Sequence, residues 1–484
     1  FASAIGCPRF PAMARHLLLF STLAAVCNCF TSPSGQWSAR RHHTTTAHFA
    51  CSAQINNEDD APINNHISQL QSRFQKYRSP PFHAPNIERV LLLSDLHCDY
   101  SENREWLSNL ATTDEHNASS EQTMILIAGD VSHDLQILRW TFQTLKQTFA
   151  EVAFVPGNHE LWLDKSAAEG DKCADSIDKM ERIIQLCLEE DIRIGPVKVG
   201  SLWIVPLLSW HHLSFDSEPP ICSESWAGIP SASRTVKLGA DYRKTVWPHP
   251  ITPLDDSVAQ LMDSLNDVIL DFDNIDEWGE DATILTFSHF LPRVELLPEK
   301  RYLSLPTLPA CSGSTFLESR LRELNEKMSS KTEGMKHLHA FGHSHLAYDL
   351  VVEDVRYVHV PLAYPREWEQ RRRSLEIGTM AGDESHHRFP VSIWEKDTNF
   401  PSEWLGGWWS KYYTIMKREP HRTKELAPWV ARRFKQRNSA AIVEDFNHVK
   451  MEMKHKLQHP SHWNAKGTWY AEKETMKDRK QRAS

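Results

Sequence analysis

The chain has 484 residues and a formal net charge of −9, and a chain of this length can bury one large core together with an appendage. It shows no recurring period, which excludes a tandem-repeat protein. Of its nine cysteines, the five beyond residue 57 are odd in number, scattered and without metal-binding or redox spacing. We therefore expect free thiols rather than a disulfide framework.

The first 57 residues have the composition of a targeting presequence. In residues 13–29, Arg15 precedes the apolar run 17–26, which is typical of a secretory signal peptide and too short to span a membrane. Residues 30–57 are rich in Ser and Thr and contain no Asp or Glu, as transit peptides do. Together they resemble the bipartite plastid presequences of algae with secondary plastids. We expect a plastid protein, with secretion and mitochondrial import as the alternatives.

Residues 58–86 are predicted to form a helix and a linker. Apolar or aromatic side chains recur at helical spacing at Ile67, Leu70, Phe74 and Tyr77, and a pair of prolines then ends the pattern. A helix with one apolar face packs that face on a core. We therefore expect this helix on the outside of the domain that follows.

Five apolar runs along the chain end in polar residues of kinds that bind metal ions. An apolar run of this length bounded by polar residues is typical of a buried strand. Ligands bind at the carboxyl ends of the strands in an open α/β sheet, so residues that follow different strands can converge. The runs end at Asp95 and His97, at Asp130, at Asn158 and His159, at His289, and at His343 and His345.

The segments between these runs can hold crossover helices. Apolar residues recur at helical spacing in residues 135–149, 174–188 and 254–272, and a further helix is predicted near 314–328. Strands that alternate with helices favour a layered α/β sandwich. Residues 350–352 and 355–360 are predicted to form a β-hairpin, although Glu353-Asp354 is weak turn chemistry.

The ordered set Asp-x-His, Gly-Asp, Gly-Asn-His-Glu, a later His and Gly-His-x-His resembles the calcineurin-like metallophosphoesterase superfamily. The resemblance extends over residues 88–365. It implies a β-sandwich of two mixed sheets flanked by helices, which we place at residues 87–372. It also implies that the chain is a phosphoester hydrolase.

The resemblance assigns a role to each of the strand-end residues. Asp95, His97 and His345 would bind one metal ion, and Asn158, His289 and His343 would bind a second. Asp130 would bridge the two ions. His159 would be the catalytic imidazole beside the phosphate, the alternative being a group that only orients its neighbours.

The donor atoms agree with such a centre. Oxygen and nitrogen ligands without thiolate suit Mn, Fe or Zn better than they suit a closed structural zinc site. Two ions that share a carboxylate lower the pKa of a bridging water, which can attack phosphorus as hydroxide. His159 would then protonate the leaving alcohol, a general-acid role worth roughly 10²–10⁴-fold.

Substrate choice is less constrained by the sequence. Protein Ser/Thr phosphatases of the superfamily have Gly-Asp-x-x-Asp-Arg-Gly around the bridging Asp, whereas this chain has Gly-Asp-Val-Ser-His-Asp at 129–134. We therefore expect a small or nucleotide-like phosphomonoester or phosphodiester rather than a phosphoprotein. Between Asn158 and His289, His211 and Arg243 are candidate substrate contacts. The alternatives are an imidazole satisfied within a loop and a surface arginine.

The last part of the chain, residues 373–484, is interpreted as a linker and a basic extension. Residues 401–484 contain 18 Lys or Arg, nine Asp or Glu and six of the 17 tryptophans. Such a segment can bind nucleic acid or an anionic membrane. We favour a helical extension whose tryptophans pack on the core. Two other hypotheses are a nucleic-acid phosphodiesterase that uses this extension and a non-catalytic scaffold, although a scaffold would be expected to have lost ligands.

Overall fold

The computed structural model describes residues 61–78, 80–110, 120–164, 171–270, 282–329, 336–367, 390–401 and 407–443. The predicted presequence, residues 1–57, lies outside the described residues, as do Trp404, Trp463 and Trp469 of the C-terminal extension. Within the described part of the chain, no helix combines the length and the apolar character needed to cross a membrane.

Ten α-helices are described, which we number in chain order. They are α1 (Ala61–Phe74), α2 (Ser101–Leu110), α3 (Leu135–Thr148), α4 (Ser176–Glu189), α5 (Ala232–Leu238), α6 (Ala240–Lys244), α7 (Ser257–Ile269), α8 (Thr315–Ser329), α9 (Trp408–Ile415) and α10 (Pro428–Ala431).

Fifteen strands are described and are numbered in the same way. They are β1 (Phe82–His83), β2 (Arg89–Leu93), β3 (Thr123–Ala128), β4 (Glu151–Val155), β5 (Val197–Val199), β6 (Leu202–Pro206), β7 (Trp226–Ala227), β8 (Thr283–Phe287), β9 (His337–Phe341), β10 (Tyr348–Val352), β11 (Val355–His359), β12 (Val391–Glu395), β13 (Glu425–Leu426), β14 (Lys435–Gln436) and β15 (Ala441–Ile442).

Two mixed sheets form the body of the protein. The larger has the order β1-β5-β6-β8-β9-β11-β10 and the smaller the order β12-β2-β3-β4. In the smaller sheet β2, β3 and β4 are parallel, and β12 is antiparallel to β2. The smaller sheet therefore continues beyond residue 372, where we placed the end of the domain.

The two sheets pack face to face because successive strand residues point to opposite sides. Leu92 and Leu126 of the smaller sheet share one buried apolar cluster with Leu285 and Leu338 of the larger sheet. Their neighbour Leu91 belongs instead to a second cluster, which covers the outer faces and includes residues of α1, α3, α4, α7 and α8. The predicted sandwich of two mixed sheets flanked by helices is confirmed.

The predicted helices are present within a few residues of their expected ends. Asp134 begins α3 as an N-cap, since its side chain accepts hydrogen bonds from the N–H groups of Gln136 and Ile137. Helix α1 buries Ile67, Leu70 and Phe74. It packs against α7 on the outside of the sandwich.

The predicted hairpin is formed by β10 and β11, which pair antiparallel. Its turn residues, Glu353 and Asp354, have φ values of 49° and 66°. Two successive left-handed residues are the geometry of a type I′ turn, which matches the twist of the flanking strands.

The described C-terminal segment (407–443) packs on the domain around a third apolar cluster. Tyr412, Leu426 and Val430 of this segment lie against Trp226 and Tyr302 of the domain. Trp409 and Trp429 are partly buried against the same cluster. The segment contains two short helices and three short strands, of which β14 pairs with β7.

Candidate metal centre

The site lies where the carboxyl ends of the two sheets meet. The Ser94 N–H, just after β2, donates to the Val360 carbonyl just after β11 at 3.0 Å, and the Leu362 N–H donates back to the Ser94 carbonyl at 2.9 Å. These bonds join strands of different sheets. The residues that follow β2, β3, β4, β8 and β9 therefore face one space.

One group of donor atoms comes from the ends of β2, β3 and β9. Asp95, His97, Asp130 and His345 each offer a ligand atom, and all four atoms lie within 4.8 Å of one another. The Nε2 atoms of His97 and His345 are 2.9 Å apart, and His345 Nε2 is 3.6 Å from Asp95 Oδ1.

A second group shares Asp130 with the first. Asp130, His289 and His343 form this group, and Asn158 adds its amide oxygen. Asn158 Oδ1 lies 3.0 Å from both His289 Nε2 and His343 Nδ1, which are 3.2 Å from each other. The structure thus brings together all seven predicted ligands in two groups with Asp130 in common.

These separations fit metal ions. Ligand atoms about 2.1 Å from an ion lie about 3.0–3.4 Å from each other in octahedral or tetrahedral coordination. The outward nitrogens of His289, His343 and His345 donate to the Ala128 carbonyl, the Cys311 carbonyl and Glu367 Oε2 at 2.9, 2.9 and 2.7 Å. The other ring nitrogen of each histidine then carries a lone pair that points toward further acceptor atoms. A cation between these atoms would satisfy them.

The charges at the site also favour bound cations. Burial, together with the carboxylates of Glu160 and Asp95, raises the pKa of Asp130 well above its usual value. Burial raises the pKa of Asp95 as well, but the hydrogen bond from His359 and the nearby His345 outweigh this, and the net pKa is well below the usual value. Buried carboxylates this close together are stabilised by cations between them.

His159 lies beside Asp130, the residue that the two groups share. Its Nε2 is 3.8 Å from Asp130 Oδ2, and its ring stacks on Trp162 with the centroids 3.6 Å apart. The Tyr364 hydroxyl is 3.5 Å from the same Nε2. His159 also forms a third group of close donor atoms with His97 and Asp99.

Glu160 holds the loops that carry Asp130 and Asn158, a role that we did not predict. Its carboxylate accepts the N–H groups of Asp130 and Gly157 at Oε2 and those of Val131 and Ser132 at Oε1, at 2.6–3.0 Å. Glu160 is the last residue of the motif Gly-Asn-His-Glu. Its role could not be predicted from the motif because the sequence does not show that this carboxylate is buried.

The backbone is left-handed at five of the predicted site residues, which are Asp95, His97, Asp130, His343 and His345, with φ between 43° and 75°. Residues other than glycine adopt this conformation at a cost of about 1–2 kcal/mol each. Hydrogen bonds hold it in place, for example from the Asp95 N–H to the Gly129 carbonyl at 3.0 Å and from the His97 N–H to the Asp130 carbonyl at 2.8 Å.

Asp241, in the long segment between Asn158 and His289, orients the Asn158 amide. Its Oδ1 accepts from Asn158 Nδ2 at 2.9 Å and from Trp162 Nε1 at 2.7 Å. Only the nitrogen of an amide donates, so this bond turns the amide oxygen toward His289 and the second donor group.

His211 and Arg243 are placed differently. His211 is 2% exposed, and its Nε2 lies 3.4 Å from Asp241 Oδ2. Arg243 is exposed, and its Nε donates to the Gly239 carbonyl at 3.3 Å. Its neighbour Lys244 lies nearer the centre, with Nζ 4.0 Å from the Trp162 ring. Substrate contact by His211 or Arg243 stays a prediction.

His359 is a further residue that the sequence analysis did not identify. It is the last residue of β11, its Nε2 lies 3.0 Å from Asp95 Oδ2, and it is 1% exposed. His359 follows a strand as the predicted ligands do, and the parallel pairing of β11 with β9 is what places it beside Asp95.

Residues 88–238 match the family model of calcineurin-like phosphoesterases. These residues thus form a segment of calcineurin-like phosphoesterase type, and the chain is a hydrolase that acts on phosphoester bonds. The matched residues include Asp95, His97, Asp130 and Asn158, and the histidines that complete the two groups lie beyond them.

The chain is similar to [acyl-carrier-protein] phosphodiesterase PptH of Mycobacterium tuberculosis. The two are 24% identical over 290 residues, which cover 58% of this chain and 79% of the relative. The crystal structure of this phosphopantetheinyl hydrolase covers 60% of the present chain and 94% of its own, with 20% identity and a TM-score of 0.44.

Proposed function

We propose that the protein is a dinuclear metal-dependent phosphodiesterase that hydrolyses the ester between phosphopantetheine and a carrier protein. The observation that carries the proposal is the pair of donor groups that share Asp130. The substrate is proposed from the activity named for the M. tuberculosis relative. In a phosphopantetheinylated carrier, the phosphate joins the pantetheine arm to a serine, so the site would have to accept a diester.

The two donor groups would hold divalent Mn, Fe or Zn, which when bound polarise phosphoryl oxygens and lower the pKa of water. Asp130 would contribute a carboxylate oxygen to both ions. Asn158, held by Asp241, would present its amide oxygen to one of them. Glu160 would keep the loops of Asp130 and Asn158 at a fixed separation, which sets the distance between the two groups.

His159 is the group that we propose to deliver a proton to the leaving alcohol. Burial lowers the pKa of His159 to about 3, so the ring is neutral at pH 7 before substrate binds. A phosphodiester is an anion, and an anion beside the ring favours its protonated form. Substrate binding would therefore raise the pKa of His159, which is the direction that a general acid requires.

Hydrolysis of three substrates tests the proposal. We would compare a holo acyl carrier protein, bis-p-nitrophenyl phosphate and p-nitrophenyl phosphate, first with Mn²⁺ and then with EDTA. We expect chelator-sensitive hydrolysis of the diesters, with the carrier losing the mass of phosphopantetheine. Asp130→Asn and His159→Ala should both lose turnover, whereas Glu105→Gln, on the exposed side of α2, should retain it.

Two results would contradict the proposal. Hydrolysis of the monoester alone would argue against a diesterase, and turnover that survives full chelation would argue against the metal centre. If His159→Ala still hydrolysed the holo acyl carrier protein, whose leaving group is a serine alcohol, His159 would not be the general acid.

We also propose that the protein is directed to a plastid, on the composition of residues 1–57. A fusion of these residues to a fluorescent protein tests this location. Fluorescence in the plastid would support the proposal, and secretion or mitochondrial import of the fusion would contradict it.

A further inference from the structure

We propose that a basic surface at the rim of the metal site is the docking surface for an acidic protein domain, the carrier that presents the diester. This inference rests on the function proposed above and adds the partner's charge and the place where it binds. The basic surface consists of eight exposed cations: Arg234, Lys237, Arg243, Lys244, Arg432, Arg433, Lys435 and Arg437.

The two segments that form this surface are nearly free of carboxylates. Residues 228–250 contain one, Asp241, which bonds to Asn158 and Trp162, and residues 426–443 contain none. The whole chain carries −9, so these two segments are a local exception in an acidic protein, and the one carboxylate that lines the cavity between them, Asp216, is paired with Lys300. Charge of one sign concentrated in this way attracts a partner of the opposite sign and excludes partners of the same sign.

The basic surface begins at the metal site. Lys244 Nζ lies 4.0 Å from the centre of the Trp162 ring, and that ring stacks on His159. Asp241, on the same helix α6, bonds to the ligand Asn158. Helix α6 is therefore part of the wall of the site, and its exposed side is part of the rim.

The surface continues from α6 through α5 to the C-terminal segment. Strand β14 pairs with β7, which places Lys435 opposite Ala227. A cavity of about 440 Å³ is lined both by Ser231, at the start of α5, and by Arg437. The two basic segments thus border the same cavity and form one surface.

The chemistry of the proposed substrate explains why this place would matter. The phosphorus of a phosphopantetheinylated serine is bonded directly to the serine oxygen, so the carrier's body must lie against the rim when the phosphate reaches the donor groups. A small diester has no such body. The basic surface should therefore affect hydrolysis of the protein-borne diester and leave that of a small diester unchanged.

The test uses two variants of the full chain that remove the same number of positive charges. One is Arg432→Ser/Lys435→Ser/Arg437→Ser, in the basic surface and remote from the donor groups in sequence. The matched control is Lys76→Ser/Lys198→Ser/Lys396→Ser, outside this surface. For both we would measure kcat and KM with a holo acyl carrier protein, turnover of bis-p-nitrophenyl phosphate, and calorimetric binding of the apo carrier at low and high salt.

We expect the surface variant to raise KM for the holo carrier roughly tenfold with kcat unchanged, and to weaken apo-carrier binding by a similar factor. The control variant should match the wild type in every assay. Wild-type binding should weaken as salt rises, because the charges are exposed. Neither variant should change turnover of the small diester.

Equal losses in the two variants, or no loss in the surface variant, would overturn the proposal. So would an apo carrier that does not bind while RNA or anionic vesicles do. Failure of the proposed function has a different signature, in which the apo carrier binds through the surface but the holo carrier is not cleaved. That result would support the docking surface and would contradict the proposed substrate.

Discussion

Asp241 shows how a residue outside the predicted metal-binding motifs can orient a predicted metal ligand. Burial raises its pKa, but the neighbouring His211 imidazole, with Nε2 3.4 Å from Asp241 Oδ2, outweighs this effect, and the net pKa lies below the usual value. The carboxylate is therefore charged at neutral pH and is a strong acceptor for the Asn158 amide. The contact between Asp241 and Asn158 could not be predicted from the sequence, because the two residues are 83 positions apart.

We predict that Asp241→Ala weakens metal binding by about 10–100-fold, the usual effect of removing a residue that orients a ligand. Asp241→Asn retains an oxygen acceptor for the Asn158 amide and should lose less. Metal titration followed by calorimetry measures both affinities. Equal affinity in Asp241→Ala and the wild type would show that Asn158 needs no orienting partner.

Glu160→Gln should destabilise the fold even though the side chain keeps its shape. Each carboxylate oxygen accepts two backbone N–H groups, so an amide NH₂ would face two donors whichever way it turns. Two buried donors without acceptors cost about 2–4 kcal/mol of unfolding free energy. Urea denaturation measures the loss.

The control for this change is Glu105→Gln, on an exposed part of α2, which should shift the unfolding free energy by less than about 0.5 kcal/mol. A loss in Glu160→Gln no larger than that of the control would mean that the loops of Asp130 and Asn158 are held by other contacts.

At the scale of elements, the strand ends could be predicted because two local signals coincide there. An apolar run that fills a buried strand is visible in any window of the sequence, as in residues 124–128. Turn and donor residues such as Gly129 and Asp130 then follow it directly. The order of strands in each sheet has no such local signal, since it depends on which faces pack together.

The residues that escaped prediction have partners set only by tertiary packing. His359 lies at a strand end but was interpreted as part of a hairpin, and its contact with Asp95 exists because β11 pairs with β9. Glu367 contacts His345, and Tyr364 contacts His159. Both residues come from a segment whose sequence has no strand pattern. Their roles follow from the meeting of the two sheets.

Gly157→Ala should remove the metal centre without unfolding the protein. A Cβ at this position would lie 2.7 Å from the Asp130 N and 2.8 Å from His289 Cε1, and would also collide with the Asp130 carboxylate. Asp130 belongs to both donor groups, so we expect loss of both metal ions. Metal content by mass spectrometry of the purified protein is the measurement.

Gly200→Ala separates this effect from general destabilisation. Gly200 has a left-handed backbone but open space around its Cβ position, so alanine should cost about 1 kcal/mol and leave the metal content at the wild-type level. Full metal occupancy in Gly157→Ala would show that the loop moves to accommodate the methyl group.

At the scale of the whole molecule, ion pairs of low exposure connect the C-terminal segment to the domain. Arg418 bonds to Glu218 through Nε and Nη2, at 2.9 and 2.6 Å, and its guanidinium also donates to the carbonyls of Leu297 and Val294. The Glu218 side chain is only 8% exposed. One side chain thus holds three stretches of chain together.

Arg418→Met should therefore lower the unfolding free energy by about 2–4 kcal/mol, because it leaves a buried carboxylate without its cation. The double variant Arg418→Met/Glu218→Gln should recover part of the loss, since no charge is then left unpaired. Arg422→Met, which removes more exposed ion pairs with Glu419 and Glu425, should cost less than about 1 kcal/mol. Thermal unfolding compares the three, and equal losses would argue against the buried pair.

The left-handed backbone at the site has a consequence for the protein in the cell. Its cost is carried by the folded chain whether or not cations are present. Ions that bind the folded chain alone add stability with the logarithm of their free concentration. Metal starvation should therefore enlarge the unfolded fraction that proteases remove, so the abundance of this protein, and not only the occupancy of its site, would follow the metal supply.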